Sequence, residues 1–167
     1  MIFLDLGYQP FANEYPKKIK EKEKRYRLLI DFNKKNNVVS IKKKFQSKKI
    51  FKSDYPYRSS ISETMKKSFK KLSKKIKYKY KKKRILEIGC NDGVFLKNFE
   101  KKNSLGIEPC SNIAKLSIKK GINVLTEYWT YKLSKKIKKK YGKFDIIFSA
   151  NTITHIQNLN EVFKAIN

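Results

Sequence analysis

Two carboxylates and two glycines carry the clearest chemistry in this chain. In residues 84–109, RILEIGCNDGVFLKNFEKKNSLGIEP, one apolar run ends in Glu87-Ile88-Gly89-Cys90-Asn91-Asp92-Gly93 and a second ends in Glu108-Pro109. Ile85, Leu86 and Ile88 suit a buried parallel strand, and Gly89 and Gly93 bracket a tight turn into a helix carrying Val94, Phe95, Leu96 and Phe99. Glycines in such a turn let backbone approach a ligand. The second run puts Glu108 at the C-terminal end of a neighbouring strand, where open α/β sheets bind ligands, and a carboxylate there can accept hydrogen bonds from both hydroxyls of a ribose. The layout is that of a nucleoside-cofactor site; a turn without a ligand is the alternative. The dinucleotide fingerprint requires G-x-G-x-x-G. This loop has only Gly89 and Gly93, so it is not built for a pyrophosphate.

The elements that must hold these groups are legible on both sides. Residues 54–60, DYPYRSS, lead into a helix for which Ser60 and Glu63 form a capping box. Met65, Phe69, Leu72 and Ile76 recur along it at helical spacing as a core stripe. After Glu108, Ser111 can cap a helix bearing Ile113, Ala114, Leu116 and Ile118, which Gly121 stops. Residues 122–125 read as a third strand. A lysine-rich helix with Leu133 and Ile137 then leads to a fourth at 144–149, and Leu159, Val162, Phe163 and Ile166 mark one face of a last helix. Strand and helix alternate, which predicts a doubly wound parallel sheet of about four strands. Residues 1–57 read instead as a small irregular β module with strands at 27–32 and 38–41, packed through Leu4, Leu6, Phe11, Leu28, Ile30, Val38 and Ile41. A helix and basic linker fill 58–83, and the sheet domain occupies 84–167.

Four segments in order, residues 3–13 (FLDLGYQPFAN), 54–60, the E-x-G-x-x-x-G loop at Glu87 and residues 150–156 (ANTITHI), resemble successive motifs of the sugar C-methyltransferases, which are class I S-adenosylmethionine-dependent enzymes. The match spans the whole chain but only about the first half of a typical member. The resemblance implies S-adenosylmethionine as cofactor, held by Glu87, Gly89, Cys90, Asn91, Asp92, Gly93, Glu108, Pro109 and Asn151. It implies a nucleotide-linked 4-keto-deoxysugar as substrate, methylated at C3. Tyr57, Asn151 and His155 match positions near the reaction centre. His155 and Tyr57 are the catalytic candidates, although a lone histidine in such a position is also a common structural residue at a helix start. Adenine contacts fall near Glu127, Tyr128 and Trp129, where Tyr128 or Trp129 can equally be core aromatics. The other catalytic positions of the family lie in a C-terminal region not matched here, so the chain is expected to be a fragment, a remnant that binds the cofactor without turnover, or one half of a split enzyme with a separately encoded C-terminal half as partner. Members of the family hold a structural zinc with two Cys-x-x-Cys pairs. Asn33 and Asn36 fall where the second pair would be, and amides are poor zinc ligands, so no zinc is expected.

Composition bounds the partners. The chain has 167 residues and a net charge of +28. A charge of that size points to nucleic acid, an anionic membrane or another acidic partner, and on charge alone an RNA-associated protein or RNA methyltransferase is the alternative function. The lysines are nevertheless spread through nearly every segment, and the wealth of Ile, Asn, Phe and Tyr is consistent with drift toward A/T-rich codons. Non-specific nucleic-acid adhesion at low salt follows in either case. The tract at 74–83, KKIKYKYKKK, interleaves aromatics with cations as single-stranded nucleic-acid surfaces do, or is a solvated helix end and linker. No export signal is present, and no run reaches the roughly 18 apolar residues of a membrane span. A cytoplasmic protein without a membrane partner is expected. Cys90 and Cys110 do not make a disulfide framework.

Overall fold

Strand-forming runs near the N-terminus pair into an antiparallel meander. The computed structural model describes residues 1–43 and 45–167, and the chain divides into two units, Met1–Ile50 and Phe51–Asn167. In the first, β1 (Ile2–Pro10), β2 (Arg25–Asn33) and β3 (Val38–Ile41) lie in the order β1-β2-β3, followed by a single helical turn, α1 (Ser47–Ile50). Asn33 and Asn36 build the turn between β2 and β3. Their side-chain oxygens accept from the amides of Lys35 and Val38, and Asn37 adopts a left-handed backbone, as short polar residues in turns do.

The core expected for this unit is not formed. None of its described residues is buried, and Leu4, Leu6, Val38 and Ile41 are all exposed. Among the described residues of its own unit, this three-stranded sheet has no second layer to bury these side chains against. Aromatic contacts gather instead: Phe11 stacks on Tyr26 at 4.3 Å, and both meet Phe45 edge-on.

The second unit contains α2 (Glu63–Lys79), β4 (Ile85–Ile88), β5 (Ser104–Ile107), α3 (Ser111–Lys119), β6 (Val124–Leu125), α4 (Tyr131–Tyr141), β7 (Ile146–Phe148) and α5 (Leu159–Ile166). The strands are all parallel, in the order β6-β5-β4-β7. This is the expected Rossmann-like sheet, wound with helices on both faces. Every residue of β4 and β5 is buried. Leu86, Ile88, Leu105 and Ile107 face Leu133 and Ile137 of α4 and Val162 and Ala165 of α5. Ile85 faces the other way, toward Phe69 of α2 and Phe95. Each such side chain contributes about 1.5–3 kcal/mol by leaving water.

Four local expectations are corrected. The cap of α2 is Ser62, whose oxygen accepts from the Met65 amide, and not Ser60. Ser60 is drawn away by Asp92. Ser111 is the first residue of α3 and makes no cap; Cys110 occupies that place without a side-chain bond. The helix expected from Val94 to Phe99 shrinks to a 3-10 turn at Leu96–Asn98, because the Asn98 amide donates to the carbonyls of Val94 and Phe95 and closes the turn early. On α5, Val162 and Ala165 point inward while Leu159 and Phe163 are exposed, so the buried face is rotated from the one expected.

Candidate functional site

β4 delivers Glu87 and then turns sharply at Gly89. By the two-residue alternation of a strand, Glu87 shares the apolar face of Ile85, and it is 3% exposed. Its Oε2 has no hydrogen-bond partner among the described residues. Burial, then the charge of Glu108, pushes its carboxyl well above the usual carboxylate range. Gly89, Asn91 and Gly93 all take positive φ. The glycines serve internal packing: a Cβ on Gly89 would collide with the Thr152 side chain, and one on Gly93 with Ile122.

The loop's amides turn back into the protein. Gly89 and Cys90 donate to the Ile107 carbonyl at 2.8 and 3.0 Å, and Gly93 donates to Cys90. The Asn91 amide donates to Glu108 Oε2 and the Cys110 amide to Oε1, both at 2.9 Å. These amides offer no cradle to phosphate. What the strand ends present is carboxyl chemistry, with Glu87 and Glu108 on adjacent strands. Glu108 is also raised, by burial against the opposing pull of the Cys110 and Asn91 amides. Both thiols are free and buried, and burial first raises the pKa of each.

Asn91 and Asp92, both assigned to the cofactor in the sequence reading, hold a neighbouring segment. Asn91 Oδ1 accepts from the Ser59 amide at 2.8 Å, and its Nδ2 donates to the Tyr57 carbonyl at 3.3 Å. Asp92 is 1% exposed and accepts from the Ser60 amide, the Ser60 hydroxyl and Lys120 Nζ. Farther back, Asn112 donates to the Tyr55 carbonyl at 2.7 Å, and the Tyr128 hydroxyl donates to the Phe51 carbonyl at 2.6 Å. Residues 51–60 therefore form a strap bound by side chains from the ends of β4, β5 and β6. Little in the residue pattern announces these ties. The DYPYRSS segment stood out as a motif, but Asn112 and Lys120 carried no signal.

On the other flank, the Ser149 hydroxyl donates to the Ile88 carbonyl at 3.0 Å and fixes the exit of β7 beside that of β4. Asn151 takes a left-handed backbone and is exposed, and Thr152 packs on Gly89. His155 ends a 3-10 turn, Ile153–His155, and lies edge-on to Phe51 at 5.6 Å. Tyr57 is 45% exposed. Of the two aromatics after β6, Trp129 belongs to the core and Tyr128 is half-buried, with its phenol raised by burial and then by Cys110 and Glu108.

The residues present fit a cofactor with a cationic end and a ribose. The orphaned Glu87 oxygen is an acceptor awaiting a donor in a strongly basic chain, and each Glu108 oxygen keeps lone-pair capacity beyond its one backbone bond. Among the described residues no group of three or more His, Cys, Asp or Glu could hold a metal ion.

A family model described as a methyltransferase domain matches residues 57–167. No curated protein matches the chain. One similar solved structure, from Thermotoga maritima, is described as a SAM-dependent methyltransferase, possibly a histamine N-methyltransferase. It shares 23% identity over 60% of this chain and 44% of that one, with a TM-score of 0.46. This chain thus spans less than half of that protein's length.

Proposed function

The chain belongs to the methyltransferase-domain family, whose cofactor is S-adenosylmethionine, and on that premise we propose that it methylates C3 of a nucleotide-linked 4-keto-deoxysugar. The observation that carries the cofactor half is the pair of buried carboxyls on adjacent strand ends, one of them with an orphaned oxygen. When bound, the cofactor supplies an electrophilic methyl group on a sulfonium. Glu87 receives the ammonium of its methionine end, and Glu108, oriented by the Asn91 and Cys110 amides, accepts the ribose hydroxyls.

The sugar half rests on the resemblance of residues 54–60 and 150–156. In this reading the His155 imidazole takes the C3 proton, which the neighbouring C4 ketone acidifies, and the Tyr57 hydroxyl donates to the enolate oxygen. A further polypeptide segment beside the unpaired edge of β7 supplies the remaining catalytic groups.

Calorimetric titration with S-adenosylhomocysteine, beside Glu108→Ala, tests the cofactor half. Saturable binding that the substitution weakens supports it. No binding by a chain shown to be folded overturns it. For the sugar half, His155→Ala is expected to abolish methyl transfer to a nucleotide-linked 4-keto-deoxysugar while leaving S-adenosylhomocysteine affinity unchanged; unaltered transfer would remove His155 from the reaction.

A further inference from the structure

The lysines of α4 and α5 converge on a cavity of about 480 Å³ on the α4/α5 side of the sheet. Leu86, Ile137, Ile147 and Ala165 give it an apolar lining, to which the aromatic residues Trp129, Tyr131 and Phe144 add. Four lysines line it, Lys135 and Lys138 on α4, Lys143 before β7 and Lys164 on α5, together with Ser134 and Asn167, and no Asp or Glu side chain does. Glu161 of α5 accepts from the Tyr131 amide. Lys135 and Lys164 both lie over the Tyr131 ring, at 5.1 and 4.7 Å. The hydrogen bond from Lys135, then the lysine charges around it, lower the Tyr131 pKa. Trp129 brings a buried indole Nε1 with no hydrogen-bond partner. None of the cofactor-site residues lines this space.

Positive charge spread over a solvated surface needs no ligand. Here it rims a half-open cleft with aromatic side chains in its lining, its volume within the ordinary range for small-molecule sites, about 300–1,000 Å³. A ligand that satisfies both parts has a flat apolar body and several negative charges. Aromatic walls take a base by stacking, and lysines take phosphate oxygens as point charges. We propose that this cavity binds a nucleoside phosphate, either free or within a single strand, at a site separate from the cofactor cleft.

Trp129 is the only tryptophan in the chain, so its fluorescence reports occupancy of the cavity. Titration of the full chain with ADP at fixed ionic strength is expected to give a saturable change. The double variant Lys135→Gln/Lys164→Gln should weaken it about tenfold, equivalent to about 1.4 kcal/mol. Two controls should leave it unaltered: Lys70→Gln/Lys71→Gln, which removes the same charge from the exposed face of α2, and Glu108→Ala, which damages the cofactor cleft. Equal weakening by the α2 variant would reduce the effect to general charge and overturn the proposal. So would loss of ADP binding in Glu108→Ala, or inorganic pyrophosphate binding as tightly as ADP. Oligoadenylate distinguishes the sources: tighter binding than ADP with the same Lys135/Lys164 dependence identifies a strand, and weaker binding identifies the free nucleotide.

Discussion

The antiparallel sheet of Met1–Ile50 and the parallel sheet of Phe51–Asn167 use similar residues to opposite effect. β1 and β3 carry Leu4, Leu6, Val38 and Ile41, each between 45% and 49% exposed, while Ile85, Leu86, Ile88 and Ile107 are each 1% exposed. Branched apolar side chains favour strands in both places. Burial comes from what lies over the sheet: α2 on one face of β4 and α4 with α5 on the other supply the covering layers, and the meander has none within its own unit. The lesson is that strand formation and core formation are separate steps. The second step also creates the site, because only a covered sheet can desolvate Glu87.

The sharpest way to break this contrast is to remove a ring from the covered face. Phe95 is fully buried and meets Phe148, Phe99 and Phe69 at centroid distances of 4.1, 5.0 and 5.6 Å. Phe95→Ala is expected to cost about 3–5 kcal/mol. Hydrogen exchange should then lose protection along β4 and β5 while β2 keeps its own. Simultaneous loss at β2 would show that the two sheets do not fold independently.

Next in size is the tie between loop and strap. Asp92→Ala removes the acceptor for the Ser60 amide and hydroxyl and for Lys120. Leaving these donors without a buried partner should cost about 1–3 kcal/mol. The amides of Ser59 and Ser60 should exchange faster, and S-adenosylhomocysteine affinity should fall because the strap no longer stays over the strand ends. Unchanged exchange at those amides would mean that the Asn91 bonds suffice.

Much of the second unit was legible because period-two and period-three-to-four apolar patterns record burial directly. Its strands, the Met65–Ile76 stripe and the Glu87 and Glu108 placements all follow from that record. The strap did not, since Asp92, Asn112 and Lys120 act through side chain to backbone bonds that leave no periodic trace. Nor did the reason for Gly89, which is set by Thr152, distant in sequence. In the first unit β2 and β3 were legible, whereas β1 and the core were not, because apolar residues in a short strand announce pairing without announcing a cover. Zinc-pair positions Asn33 and Asn36 turned out to be turn formers.

A third effect runs the other way in sign. Glu87 is raised by burial and then by Glu108, so the folded chain holds a proton that the unfolded chain releases. Stability from this group is fully present below the ordinary glutamate range and is lost as pH climbs from there toward the raised value. Glu87→Gln should flatten that decline: it should change stability little below the ordinary glutamate range, where glutamine resembles the protonated acid, and leave the chain more stable than wild type as pH rises above it. It should also weaken S-adenosylmethionine binding, and wild-type binding should release a proton, visible as a dependence of calorimetric heat on buffer ionisation. Urea denaturation from pH 5 to 9 checks the slope, and a slope that Glu87→Gln leaves intact would assign it to Glu108.

The smallest effect tests the uncovered sheet. Leu6 is 45% exposed, so Leu6→Ser gives up little buried area and should shift stability by no more than about 0.5 kcal/mol. Exchange protection in β2, its pairing partner, is the local readout. A loss above about 1.5 kcal/mol would be too large for a half-exposed side chain by ordinary area bookkeeping, and would mean that this face is covered in solution. Sedimentation of the wild-type chain at two concentrations would then separate the possible covers. A concentration-dependent mass indicates a second copy lying on β1, and a constant mass indicates packing within one chain. A null result for Leu6→Ser, set beside a large one for Phe95→Ala, would leave the contrast between the two sheets as a property of their covering layers alone.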